Sequence, residues 1–304
     1  MSKTALIIGY GSIGKRHADI LDSLDIIKKV SVYSNQKNLP FETIKSFDEI
    51  INLNPDYIVI ASETSLHFKQ LMFLEKNLID KKILVEKPLF DSLKNLEIVR
   101  NQVFVGYNLR FHPIINLIKE KISQKLLWNI QVFCGSYLPH WRQNKDYRES
   151  SSAKKKTGGG VLLDLSHELD YVQWLTGSIS VQYVVNQKVS NLEIDTDDLL
   201  LLSGKTDQGS HLQICLNYFT QNSLRQIIID GDEISLQADL IKNNLLVVEK
   251  GEIYNYSFEE LQRNDTYKKQ HEAILKNNLS SICTYQEGLK TMQLINRIRT
   301  YNNK

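Results

Sequence analysis

Cysteine is scarce in this chain. Cys134, Cys215 and Cys283 are the only three in 304 residues. An odd, scattered set excludes a disulfide framework, a metal knuckle and a paired redox motif, and it fits reduced thiols. Long apolar runs are missing too: none approaches the ~20 residues that a membrane-spanning helix needs. The first apolar run, Leu6 to Ile8, passes straight into a glycine turn, so no secretory leader is expected and the expected location is cytoplasmic. Nor is there an excess of one charge. Lys and Arg number 37 against 35 Asp and Glu, a formal net charge of +2, which argues against a nucleic-acid or membrane-surface partner. Internal repeats and low-complexity tracts are absent. What remains is an ordinary globular composition, long enough for about two domains.

The most informative stretch is Thr4 to His17, TALIIGYGSIGKRH. Ala5 to Ile8 is short, apolar and β-branched, as a strand buried on both faces would be. Gly9, Tyr10, Gly11, Ser12, Ile13 and Gly14 follow as G-x-G-x-x-G, and a helical pattern runs on from Ile13 through Leu24. Strand, glycine turn and helix in that order form the dinucleotide fingerprint. Gly9 gives the tight turn, Gly11 the close approach to a pyrophosphate, and Gly14 the close packing of helix on strand. The anion would sit on the helix N-terminus.

The next strand, Val30 to Tyr33, ends in Ser34, Asn35, Gln36 and Lys37, without the carboxylate that would accept the ribose hydroxyls of NAD. A hydroxyl, an amide and an ammonium suit a ribose phosphate better, so NADP is favoured over NAD. A short helix is expected over 44–53 and a third strand over Asp56 to Ala61. Its exit carries Thr64 and His67, at the strand end where ligands of open α/β sheets collect. Lys81 to Phe90 supplies a further strand, with Glu86, Lys87 and Pro88 at its carboxyl end. An ammonium there can hydrogen-bond a substrate hydroxyl and favour its deprotonation. After a strand from Val103 and a helix from Ile114, the domain boundary is expected near residue 115. That gives a dinucleotide-binding domain over 1–115 and a second domain over 116–304, whose last helix packs back on the first.

Past Lys125 the pattern becomes successive strands with short turns, from Leu127 to Phe258, which means a large, mostly antiparallel sheet. One helical segment, 160–176, interrupts them. Within it Leu162, Leu165, Leu169 and Val172 share the face toward the sheet, and Asp164, His167, Glu168 and Tyr171 share another. His167 thus stands one turn from Asp164 and from Asp170, carboxylates able to orient an imidazole for proton transfer. No third ligand is evident, so no metal is expected. The polar loop 139–157 holds Arg142 and Arg148, each beside an aromatic, and guanidinium groups there would suit a carboxylate or phosphate on a substrate.

Together, G-Y-G-S-I-G at the start, E-K-P at 86–88, G-Y-N-L-R at 106–110 and G-G-G…D-L-S-H-E-L-D at 158–170 resemble the Gfo/Idh/MocA oxidoreductases, in order and over nearly the whole chain. The resemblance implies an α/β fold: a doubly wound Rossmann domain followed by an α+β domain with an open, mostly antiparallel sheet. It implies that Lys87 is the catalytic lysine and His167 the acid/base at the substrate carbon. Asn108 and Arg110 would lie near the substrate, Thr64 and Glu86 on the nicotinamide side, and Ala61 among the cofactor-binding residues. In inositol-dehydrogenase-like members an Asp commonly stands four residues before the His. Here Leu163 stands there, which leaves the carboxylate role to Asp164 or Asp170. The wording of the motifs is similar to members of bacterial surface-sugar pathways, which implies a sugar, nucleotide sugar or sugar acid as substrate, its anionic group held by Arg142 and Arg148. A homodimer or homotetramer through the open sheet is expected. The alternatives on the same parts are a nicotinamide-using lyase or hydrolase without net redox change, and a non-catalytic dinucleotide binder.

Overall fold

A computed structural model describes residues 2–142 and 145–301. The chain divides into two compact units. One holds the chain up to Phe111 together with Gln262–Met292; the other holds His112–Leu261 and the chain from Gln293 on. The second unit is therefore not one continuous stretch from residue 116: a long piece near the C-terminus returns to the first.

The first unit is built on β1 (Lys3–Ile8), α1 (Ser12–Asp22), β2 (Ile27–Tyr33), β3 (Glu42–Ile44), α2 (Phe47–Leu53), β4 (Tyr57–Ile60), α3 (Thr64–Asn77), β5 (Lys82–Val85) and β6 (Gln102–Val105). Seven strands lie in the order β15-β6-β5-β4-β1-β2-β3, parallel except for β15 (Cys283–Thr284) at the edge. The apolar runs of β1, β4 and β5 are buried without alternation, because helices cover both faces of a parallel sheet. Ile44 pairs with Tyr33 as a strand residue rather than opening a helix. The helix begins three residues later, where Ser46 accepts the Glu49 N–H at 3.2 Å and supplies the N-cap.

The second unit contains α4 (Pro113–Ile122), β7 (Leu127–Gly135), α5 (Val161–Asp164), α6 (His167–Thr176), β8 (Ile179–Gln187), β9 (Leu199–Thr206), β10 (His211–Asn217), β11 (Leu224–Gly231), β12 (Ile234–Asp239), β13 (Asn244–Glu249) and β14 (Glu252–Ser257). Eight strands lie in the order β14-β13-β12-β11-β7-β10-β9-β8; β7 and β10 pair in parallel and the rest are antiparallel. The central strands alternate. Leu200, Leu202, Leu212, Ile214, Leu216, Ile227 and Ile229 are buried, while their sequence neighbours face the other way. Burying each such side chain contributes about 1.5–3 kcal/mol. A one-residue slip would turn them all outward, so the register is fixed. The outward face carries Tyr183, Leu201, Phe133, Cys215 and Ile228 among amide side chains, lining a shallow groove. After β14 come α7 (Asp265–Leu275), β15 and α8 (Tyr285–Arg299).

Candidate active site

The glycine turn has the geometry its sequence demands. Gly9 has φ +96°, and a Cβ on it would come within 2.7 Å of the Ser62 backbone; a Cβ on Gly14 would come within 2.0 Å of the Gly9 carbonyl oxygen. Only glycine tolerates both, and the two together seat α1 tightly against the strand ends. Gly11 differs: nothing lies within 4 Å of where its Cβ would be. That open side, next to the first turn of a helix with no acidic residue in it, leaves room and free N–H groups for an anionic group such as a pyrophosphate. The residues of the turn thus fit a dinucleotide. The Tyr10 ring stands edge-on to Phe41, 6.2 Å away.

The loop after β2 is held by a residue that the sequence did not single out. The Lys45 ammonium donates to the carbonyls of Ser34 at 2.8 Å and Gln36 at 3.1 Å, and the Gln36 amide donates to the Tyr10 carbonyl at 2.9 Å. Ser34 is buried, its hydroxyl accepting the Gln36 N–H. Asn35 and Lys37 are exposed. The loop therefore presents polar and cationic groups and no carboxylate.

At the neighbouring strand exits Ala61 donates its N–H to Ile8 at 2.8 Å, and half-buried Thr64 opens α3. His67, expected to face the cofactor, is buried instead. Its Nδ1 lies 3.1 Å from the Pro88 carbonyl and 3.3 Å from that of Leu89, and its Nε2 lies 3.2 Å from the Ser62 carbonyl. Burial pushes this imidazole below its usual range despite those carbonyls. Its place is to tie α3 to the E-K-P turn. Glu86 is also turned inward: Oε1 faces His17 Nε2 at 2.9 Å, and Oε2 accepts the Lys87 N–H at 3.3 Å. Lys87 itself is half-buried. Because β5, β4 and β1 are adjacent and parallel, Lys87 and the glycine turn stand on the same carboxyl edge of one sheet.

Asn108 and Arg110, expected near the substrate, each hold a partner in the first unit. Both are buried in a 3₁₀ turn, Asn108–Phe111. The Asn108 amide donates to Thr266 Oγ1 at 2.7 Å, and Arg110 Nη1 donates to Glu287 Oε1 at 2.9 Å. Burial alone would raise the Glu287 carboxyl, but Arg110 and the Thr284 hydrogen bonds hold it below its usual range. The partners lie 158 and 177 residues away in sequence, out of reach of any local pattern.

In the second unit the expected helix 160–176 is two helices. Leu165 leaves helical geometry, with φ −98° and ψ 29°, while Ser166 stays helical as the residue before His167, the first of α6. The break undoes the expected common face. Asp164 ends α5, where its Oδ2 accepts the Tyr218 hydroxyl at 2.6 Å. Burial, then Asp164, pushes that phenol well above its usual range. Glu168 is fully buried and bound by both arms of Arg225, Nε to Oε1 at 2.6 Å and Nη2 to Oε2 at 3.1 Å. Asp170 and Tyr171 are buried as well, and His167 is half-buried. Arg142 is exposed. The Arg148 guanidinium contacts Asp146 at 2.8 Å and Glu193 at 3.0 Å. Tyr218 and Arg225 escaped the sequence reading because each acts through a partner more than 50 residues away.

Among the described residues no group of three His, Cys, Asp or Glu could hold a metal, and no helix is long and apolar enough to cross a membrane. Residues 3–102 match the family model described as oxidoreductase family, NAD-binding Rossmann fold, and residues 119–300 match that of the oxidoreductase family, C-terminal alpha/beta domain. The chain is 27% identical over 219 residues to a glucose-6-phosphate 3-dehydrogenase of Bacillus subtilis (strain 168), a match over 64% of this chain and 60% of the relative. It is 26% identical over 187 residues to a 2,7-anhydro-N-acetylneuraminate hydratase of Escherichia coli (strain K12), over 57% and 49%. The matches thus span about half to three-fifths of those relatives' length. The fold is also that of the WlbA dehydrogenase from Bordetella pertussis, solved with NADH and UDP-GlcNAcA. The TM-score is 0.79 at 17% identity, covering 98% of this chain and 96% of that one. With both halves matched in order, the chain belongs to the Gfo/Idh/MocA oxidoreductase family.

Proposed function

We propose that this protein is a nicotinamide-dependent dehydrogenase acting on a CH–OH group of a sugar, nucleotide sugar or sugar acid. One observation carries the reading: the glycine turn with its open side and the Lys87 turn share a single edge of the parallel sheet. A nicotinamide held at this turn would supply the hydride acceptor and donor for the carbinol carbon. The chain's own residues do the rest. Gly9 and Gly14 shape the turn, and the α1 N-terminus holds the pyrophosphate. Lys87 donates a hydrogen bond to the reacting oxygen and stabilises it as an alkoxide. His167 takes the hydroxyl proton in oxidation and returns it in reduction. Asp164 or Asp170 orients that imidazole.

The Ser34–Lys37 loop, held by the Lys45 ammonium and lacking a carboxylate, supports NADP over NAD. Arg142 is the guanidinium best placed by exposure to meet an anionic group, since Arg148 is neutralised by Asp146 and Glu193. The outward face of the second sheet, half apolar and half amide, supports a homodimer or homotetramer.

The test is a panel of sugar phosphates, nucleotide sugars and nine-carbon sugar acids, each with NAD and with NADP. Oxidised product should appear mole for mole with reduced nicotinamide, faster with NADP. A second reading is favoured by the hydratase relative: transient oxidation followed by elimination or hydration, with no net redox change. Product without accumulated reduced cofactor would select it, and inertness toward every pair would leave only a nucleotide binder.

A further inference from the structure

Four polar side chains stand in line through the apolar interior of the first unit. Tyr57 opens β4, His271 lies in α7, His17 in α1, and Glu86 follows β5. Tyr57 Oη is 2.9 Å from His271 Nδ1; His271 Nε2 is 2.8 Å from His17 Nδ1; His17 Nε2 is 2.9 Å from Glu86 Oε1. Tyr57, His17 and His271 are fully buried and Glu86 is 6% exposed. Ala18, Leu21, Val59, Leu84, Ala273 and Ile274 belong to the same core. Burying this many polar groups is unfavourable unless each is satisfied, so the order of donors is constrained.

That order can be worked out. Burial, then the nearby Glu86 charge, pushes the Tyr57 hydroxyl well above its usual range, so it keeps its proton. Burial, then His17, pushes the His271 imidazole well below its usual range, so it stays neutral. A neutral His271 carries one N–H. With Tyr57 donating to Nδ1, that hydrogen is on Nε2 and is given to His17 Nδ1. His17 then carries its own hydrogen on Nε2 and gives it to Glu86. A carboxylate only accepts, and its other oxygen already takes the Lys87 N–H at 3.3 Å. Every member is satisfied in this direction. In the reverse direction Tyr57 would have to accept from His271 and find a new acceptor for its own proton.

We propose that His17 and His271 are positioning residues for Lys87. Locked in one tautomer each, they fix the orientation of Glu86. Glu86 in turn anchors the Lys87 main chain and sets a negative charge one residue away from it. The inference rests on Lys87 serving the reaction proposed above. It also joins three elements distant in sequence: α1, which carries the dinucleotide turn, α7 and the E-K-P turn. The other titratable groups facing the chain are Tyr267, edge-on to His17 at 5.5 Å, Arg16 over that ring, Arg263 and His67. Burial pushes Tyr267 up to about 12, so it stays a phenol across the working range. His67, held low by burial, is committed to carbonyls. Neither Tyr267 nor His67 changes charge between pH 6.5 and 9 or so.

Two measurements test this. Long-range ¹⁵N–¹H spectra of the histidine rings in the wild-type holoprotein read the chain without turnover. Both His17 and His271 should be neutral and protonated on Nε2 near pH 7; an imidazolium or an Nδ1–H form at either overturns the chain. Kinetics of His17→Leu and His17→Gln read the role. His17→Leu should lower kcat at least about tenfold and move the alkaline limb of kcat/KM to lower pH, with cofactor Kd within about threefold of wild type. His17→Gln, able to donate to Glu86 and accept from His271, should recover most of the loss. Wild-type kinetics in His17→Leu, or no recovery in His17→Gln, overturns the role. Should His17→Leu fail to fold, Glu86→Gln is its substitute: the neutral amide should produce the same alkaline shift, and an unchanged profile overturns the proposal. A wild type inert toward every sugar and both cofactors refutes the dehydrogenase reading and with it the role for Lys87, while the ring spectra still judge the hydrogen-bonded chain.

Discussion

Replacing Arg225 with Met should strand the Glu168 carboxylate, and the structure sets the size of the loss. Glu168 is 0% exposed and held by two hydrogen bonds from one guanidinium, whereas the Arg225 side chain is 22% exposed. Breaking a buried pair by removing one partner costs about 3–5 kcal/mol. Partial access of Arg225 to water places this case at the lower end, about 3 kcal/mol. That is about two decades in the unfolding equilibrium. All three tryptophans, Trp128, Trp141 and Trp174, belong to the second unit, so their fluorescence during urea unfolding reports the unit that holds the pair. The double variant Glu168→Leu/Arg225→Met removes both charges and should recover to within about 1 kcal/mol of wild type. The single variant should also regain stability as the pH falls, because the stranded carboxylate can take up a proton in the folded state. Since Glu168 follows His167 at the start of α6, turnover of folded Arg225→Met should drop as well. A loss below about 1 kcal/mol in Arg225→Met, typical of exposed pairs, would refute the reasoning.

Three further outcomes follow from the geometry. Gly14→Ala drives a Cβ to 2.0 Å from the Gly9 carbonyl, whereas Gly11→Ala meets nothing within 4 Å. Gly14→Ala should lose about 1–3 kcal/mol of stability. Gly11→Ala should fold normally yet bind NAD(P)H at least about tenfold more weakly by fluorescence titration, because its methyl occupies the side open to the pyrophosphate. Burial depresses the His271 imidazole, and His67 likewise. Unfolding frees both to take up protons near pH 6.5, so the stability they contribute is present above about pH 6.5 and lost as the pH falls through it. The slope is at most about 1.4 kcal/mol per pH unit per histidine. Urea midpoints by far-ultraviolet circular dichroism should fall from about pH 7.5 to about pH 5.5, and a flat line across that span contradicts the assignment. The proposed dimer or tetramer through the second sheet predicts a lower mass by light scattering for Leu201→Lys than for the unaltered protein; an unchanged mass contradicts that surface.

What the sequence discloses, and what it hides, follows one physical line. Strands whose faces alternate, such as β9 with Leu200 and Leu202 inward, are written in local order, and so is the glycine turn, because backbone sterics are local. The break at Leu165–Ser166 is not, since the apolar spacing of Leu162, Leu165 and Leu169 runs through it unchanged. Ile44 reads as helix only until its pairing with Tyr33 is known. Buried charges are the least legible. Nothing local to Arg110 and Asn108 announces their partners Glu287 and Thr266. His17 looks like one more helix residue until His271, 254 positions later, is seen to face it.

The proposed function turns on Lys87 and His167 each taking part in the reaction. Steady-state turnover of Lys87→Ala and His167→Ala, measured beside their NAD(P)H affinity, tests it most directly. Each variant should lose at least about 10²-fold in kcat with Kd for the cofactor near that of the unaltered protein. Turnover at the unaltered rate in either variant contradicts the claim and removes that side chain from the chemistry.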